Sequence, residues 1–133
     1  MPLVLSHQLP VAKAYCQLRI AAGLSAKPLA LAEKGLANSL YGVCIHDGAQ
    51  LVAMGRVVGD GSCFFQVVDI AVAPRYQGRG LGKQIMHAIE AYLKMAAQPG
   101  SYVSLIADKP GFYEKLGYQH TAPAGYGMYK KFA

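Results

Sequence analysis

The chain has 133 residues, 53% of them hydrophobic, which is the length and apolar content of a single globular domain over 1–133 with a core of its own. No apolar run reaches the roughly 20 residues of a membrane-crossing helix, and the N-terminal stretch lacks the basic start and apolar core of a secretory signal, so no membrane partner and a cytoplasmic location are expected. The net charge of +6 favours an anionic partner. It gathers as Arg75, Arg79 and Lys83 around one glycine-rich stretch rather than in a long Lys/Arg block, which argues against nucleic acid.

In chain order, residues 3–8 read as a short first strand, and Pro10 suits the first turn of a helix carrying Ala14, Leu18, Ala21 and Ala22. Gly23 ends it, and Pro28 opens a second helix over 29–39. Strands are expected at 40–45 and 50–58, joined at Asp47-Gly48, and again at 63–72, where the run is apolar enough to be buried on both faces. Past the glycine-rich stretch, Leu81, Ile85, Ala88, Ile89 and Tyr92 recur at helical spacing. Residues 102–107 make another buried strand, Pro110 opens a brief helix ending near Gly117, and the tail over 118–132 is expected to supply two closing strands. Strand, loop, helix, strand is a crossover unit.

Three cysteines, Cys16, Cys44 and Cys63, are odd in number and widely spaced, and the four histidines have no ligand spacing. Neither a disulfide framework nor a metal is expected. The chemistry concentrates instead in Gln77-Gly78-Arg79-Gly80-Leu81-Gly82-Lys83. A strand feeding such a turn and then a helix aims several unpaired N–H groups and the positive helix end at one point, which suits pyrophosphate. The P-loop pattern fails because Gln84 follows Lys83, and the dinucleotide pattern fails because the glycines fall at 78, 80 and 82.

With those excluded, the segment resembles the cofactor loop of the GNAT superfamily of acyl-CoA N-acyltransferases, whose Q/R-x-x-G-x-G/A signature is matched by Gln77, Gly80 and Gly82. A second segment, Phe112-Tyr113 followed by Gly117-Tyr118, resembles the family's later aromatic motif. The resemblance implies an α/β (α+β) fold: a mixed, mostly antiparallel sheet splayed between strands four and five, flanked by about four helices. It implies acetyl-CoA as co-substrate, its pantetheine along Ile70, Ala71 and Val72, its pyrophosphate on Gly78 to Lys83 with Gln77 and Arg79 beside it, and Ala107 on the far wall. Many relatives carry Asn just after strand five, where this chain has Ala107-Asp108-Lys109.

The activity so implied is transfer of an acetyl group to a primary amine by direct attack, with Tyr113 protonating the departing sulfur; an ordinary phenol stays protonated at neutral pH. The alternative for Tyr113 is packing as core, against which the motif match favours the catalytic role. Asp69, the one carboxylate inside the apolar central strand, is a candidate base, or else an anchor held by hydrogen bonds. The acceptor side offers Arg19, Ser25, Lys27, Tyr41, Tyr126 and Tyr129, with few acids to meet a polycation, so a small amine, an amino acid or a peptide amine is expected. The competing expectation is a non-catalytic CoA-binding module, and a homodimer is compatible with either.

Overall fold

Asp47 and Gln50 face each other across a two-residue turn, Gly48-Ala49, in which Gly48 takes a φ of +60°. That turn closes a hairpin of β2 (Tyr41–Asp47) and β3 (Gln50–Gly59). A computed structural model describes residues 2–132. In it β1 (Leu3–Ser6) adds antiparallel to β2, and β4 (Phe64–Val72) adds antiparallel to β3. The last strand, β5 (Tyr102–Ser104), runs parallel to β4, giving the order β1-β2-β3-β4-β5.

Neighbouring residues of β3 show how the layers stack, because successive side chains leave a strand on opposite faces. At Gly55 an added Cβ would come within 2.7 Å of Ile85 on α3 (Leu81–Ala96), so this glycine lets the long helix sit close on the sheet. The next residue, Arg56, sends its guanidinium the other way, 5.8 Å from the Tyr15 ring on α1 (Ala12–Ala21). α2 (Leu29–Ala37) packs beside α1 on that face. Val43, Ile45, Val52, Met54, Val57 and Phe65 fill the core with Ile85, Met86 and Ile89, each such side chain adding about 1.5–3 kcal/mol of hydrophobic stabilisation. A short α4 (Pro110–Glu114) follows β5.

The mixed, mostly antiparallel sheet and its four helices match the expected fold, with three corrections. Residues 118–132 form no strand: Pro123, Gly125 and Gly127 interrupt any ladder, Gly125 N–H closes a turn onto the Thr121 carbonyl, and Tyr126, Met128, Tyr129 and Phe132 stand exposed. The strand expected over 102–107 ends at Ser104. β4 is not buried on both faces, since Phe64 is 62% exposed and Val68 to Ile70 are half-buried. The early end of β5 and the half-burial of Val68 to Ile70 share one cause, the cleft that opens where β4 leaves β5.

Candidate active site

Between β3 and β4 the register slips: Met54 faces Ala71 and Arg56 faces Val68, so β4 takes three steps where β3 takes two. The extra residue makes a bulge at Asp69, which adopts a left-handed φ of +60°. On its other side β4 pairs with β5 only through Phe64, Phe65 and Gln66. From Val67 onward that edge has no ladder partner among the described residues, which leaves backbone N–H and C=O groups free to meet a ligand. This is the expected splay.

Two cavities occupy the opening. The first, about 360 Å³, runs along Ile70, Ala71 and Val72 to the glycine loop and to Phe112 and Tyr113. The second, about 230 Å³, lies between Val67–Ile70 and Leu105–Asp108 with Arg19 in its wall. Leu24, Ile70, Asp108 and Tyr113 line both, so Tyr113 stands where the two meet.

A single turn of 3-10 helix, Pro74–Tyr76, carries β4 into the loop, where Gly78 and Gly80 both take φ +79°. Only glycine adopts that region freely, and an added Cβ at either would meet nothing within 4 Å. Gln77 braces the loop by donating from Nε2 to the Val72 carbonyl at 3.0 Å. Gly80 caps α3 without a side-chain bond, and the helix's first turn holds no acidic residue. Its leading amides therefore face the first cavity uncapped beside Lys83, a donor set that fits a pyrophosphate. Arg79 stands aside, its guanidinium 5.1 Å from the Tyr76 ring, and Ala107 lines the second cavity rather than the first.

Tyr113 is buried on α4 with its ring edge-on to Phe112 and Tyr118 at 5.0 and 6.2 Å. Burial, and then the charge of Asp108, raises its pKa above the ordinary value of 10. The phenol thus keeps its proton at neutral pH in a half-desolvated site.

Asp69 has no free oxygen. Arg19 Nη1 donates to Oδ1, while Arg56 Nε and the Tyr15 hydroxyl donate to Oδ2 at 2.6 and 2.8 Å. Burial, then Asp69, raises the Tyr15 pKa. For Arg56, burial works against the charge and is outweighed by Asp69. Of the two roles expected for Asp69, the anchor describes this geometry. Tyr15 and Arg56 escaped the sequence reading, although an arginine and an aspartate inside neighbouring apolar strands were a usable signal, since buried charges need partners.

The acceptor-side candidates are not brought together. Arg19 lines the second cavity and Ser25 holds it, with Arg19 Nε donating to the Ser25 carbonyl at 2.8 Å and Nη2 to its Oγ at 3.0 Å. Tyr41 stacks on Tyr92 at 4.7 Å, away from the splay, and Tyr129 is exposed. Tyr126 lines a third cavity of about 480 Å³ between β5 and the tail, whereas Lys27 borders a fourth between α1 and α2. Among the described residues no cluster of three His, Cys, Asp or Glu could hold a metal, and no helix is long and apolar enough to cross a membrane.

A splayed sheet with an uncapped, glycine-lined helix start at its opening defines a scaffold fit to bind a phosphorylated ligand along an open strand edge. Residues 37–120 match the family model of the GNAT acetyltransferase domain, so the chain belongs to the GNAT acetyltransferase family. The crystal structure of a protein from meticillin-resistant Staphylococcus aureus, described as a probable acetyltransferase, superposes with a TM-score of 0.94 at 45% identity over 98% of this chain and 100% of that one. An uncharacterized ycf52-like N-acetyltransferase of Prochlorococcus marinus is 37% identical over 109 residues, 77% of this chain. The chloroplastic serotonin N-acetyltransferase 2 of Oryza sativa is 37% identical over 79 residues, 58% of this chain. The chain spans 59% and 38% of those two proteins' lengths.

Proposed function

We propose that this chain transfers an acetyl group from acetyl-CoA to a primary amine, that of a small amine, an amino acid or a peptide, by direct attack. The observation that carries the proposal is the position of Tyr113, which borders both the cavity leading to the glycine loop and the cavity on the far side of the splay. Donor and acceptor then approach from opposite sides and meet beside one phenol.

Acetyl-CoA supplies the thioester. Gly78 to Lys83 hold its pyrophosphate by main-chain amides and one ammonium, Gln77 keeps the loop closed on β4, and the edge of Ile70–Val72 pairs with the extended arm. The β4 amides beyond the bulge donate to the acyl oxygen as it gains negative charge. The amine nitrogen forms the new C–N bond, the C–S bond breaks, and the Tyr113 hydroxyl gives its proton to the departing sulfur. The proton shed by the amine leaves to solvent and another returns to Tyr113. Asp69 takes no proton in this scheme; with Arg19 and Arg56 it holds the bulge that frees the β4 edge.

A panel of small amines, amino acids and short peptides assayed for CoA release tests the proposal. Release with one acceptor class, lost in Tyr113→Phe while acetyl-CoA still binds, is the expected result. Binding of acetyl-CoA without release across the panel would instead leave a CoA-binding module.

A further inference from the structure

Two guanidiniums, Arg19 buried and Arg56 half-buried, share one carboxylate in this fold. Asp69 is the single acid between Arg19 and Arg56, whose side chains are 8% and 16% exposed, and the third partner, Tyr15, brings a hydroxyl and no charge. One positive charge is thus left without a counter-charge, and the half-buried Arg56 carries it to the mouth of a neighbouring cavity. Arg19 has spent its fork on Asp69 and Ser25. Arg56 donates from Nε to Asp69 and from Nη1 to the Gly35 carbonyl at 3.3 Å and Ser39 Oγ at 3.1 Å. Its Nη2 has no protein acceptor among the described residues and lies 3.9 Å from where a Cβ on Gly35 would stand.

Arg56 opens on the cavity between α1 and α2, about 440 Å³ in volume. Tyr15 and Leu31 give that cavity an apolar wall, Gly35 leaves it room, and Lys27 and Lys34 stand exposed at its border. No carboxylate lines it, and it shares no residue with either cavity of the splay. Beyond the Nε that Arg56 gives to Asp69, its spare Nη2, the two flanking ammoniums and the apolar wall form a set of groups for which the acetyl-transfer scheme has no use.

We propose that this cavity binds a small organic dianion, its charged ends met by Arg56 and by Lys27 and Lys34 and its carbon skeleton lying on Leu31 and Tyr15. The guanidinium suits the oxyanion because its remaining N–H groups form charge-assisted hydrogen bonds in a fixed plane. Binding there supplies the counter-charge that the Arg19–Asp69–Arg56 cluster lacks. The site does not depend on the reaction assigned to the splay.

Succinate titrated into the ¹⁵N-labelled full chain tests the proposal, with amide shifts read residue by residue. Saturable shifts at Gly35, Asn38 and Arg56 are expected, and succinamide, which has the same skeleton without charge, should produce none. Lys27→Ala combined with Lys34→Ala, two exposed changes that leave the core intact, should weaken binding about tenfold, as the loss of two rim charges implies. Shifts confined to Gly78–Lys83 would show the anion at the pyrophosphate loop instead and overturn the proposal. Non-saturating shifts, or unchanged affinity in the double variant, would overturn it as well.

Discussion

Asp69→Ala separates an anchor from a base. The substitution removes the only acid between two guanidiniums that are 8% and 16% exposed, and it strips three donors of their acceptor. Two such charges forced to share a pocket repel by about 3 kcal/mol at the effective dielectric of protein sites, and breaking buried ion pairs by deleting one partner costs about 3–5 kcal/mol. For a chain of 133 residues that loss lowers the melting temperature by roughly 10–20 °C. Asp69→Asn should be milder by about 1–2 kcal/mol, because asparagine tolerates the left-handed φ of +60° that alanine resists. Urea unfolding followed by circular dichroism measures both variants, and CoA release measured below the transition reports catalysis. The anchor role predicts a large stability loss and weaker acetyl-CoA binding, with only modest loss of turnover at saturating acetyl-CoA in the fraction still folded. An Asp69→Asn protein of unchanged melting temperature whose turnover falls by about 10²–10⁴, the scale of a lost general base, would refute this account of Asp69.

Other positions give independent tests. Tyr113→Phe should lower turnover about 10²-fold, the lower end of general acid catalysis, with acetyl-CoA affinity unchanged by calorimetry. Since the Tyr113 pKa is raised and the protonated phenol is the donor, its contribution is complete at neutral pH and is lost only as pH climbs through a value above 10; an alkaline limb near pH 8 in the pH–rate profile that vanished in Tyr113→Phe would contradict this. Gly80→Glu places a carboxylate at the start of α3 on a residue held at φ +79°, and should weaken acetyl-CoA binding at least tenfold, about 1.4 kcal/mol. Gly55→Ala drives a Cβ to 2.7 Å from both Ile70 and Ile85 and should cost about 1–3 kcal/mol in urea unfolding. Burial pushes the Cys44 thiol up to about 11, so iodoacetamide at pH 7.5 should alkylate exposed Cys63 and spare Cys44, as peptide mass mapping would show.

The loop and the long helix were legible because their causes are local. Glycines at 78 and 80 permit a positive φ in any context, and the apolar residues of α3 repeat at its own period, so both survive without knowledge of the rest of the chain. Tyr113 was legible through a motif, but its place between two cavities was not, since that depends on how far β5 runs. The tail misled for the opposite reason. Tyr126, Met128 and Tyr129 have the composition of strands, yet strand pairing is decided by a partner edge, and proline and two glycines within 123–127 deny the tail a continuous ladder.

The bulge at Asp69 was the least legible feature and the one on which the site depends. An aspartate in an apolar run signals only that a partner must exist; the partners come from α1 and from β3, 50 and 13 residues away. Their pull on one carboxylate holds β4 in a left-handed step, the step turns the strand away from β5, and the departure exposes the backbone edge beside Tyr113. On that chain of causes, weakening the cluster should loosen the bulged stretch of β4 before it unfolds the core. Arg19→Met keeps the bulk of the side chain while removing one of the two guanidiniums, and it leaves Asp69 paired with Arg56. Amide exchange in this variant should quicken at Ile70 to Val72 well ahead of Ile85 to Ile89, and acetyl-CoA affinity should fall with it. Uniform quickening across both segments would mean that the cluster stabilises the whole fold and does not shape the cleft.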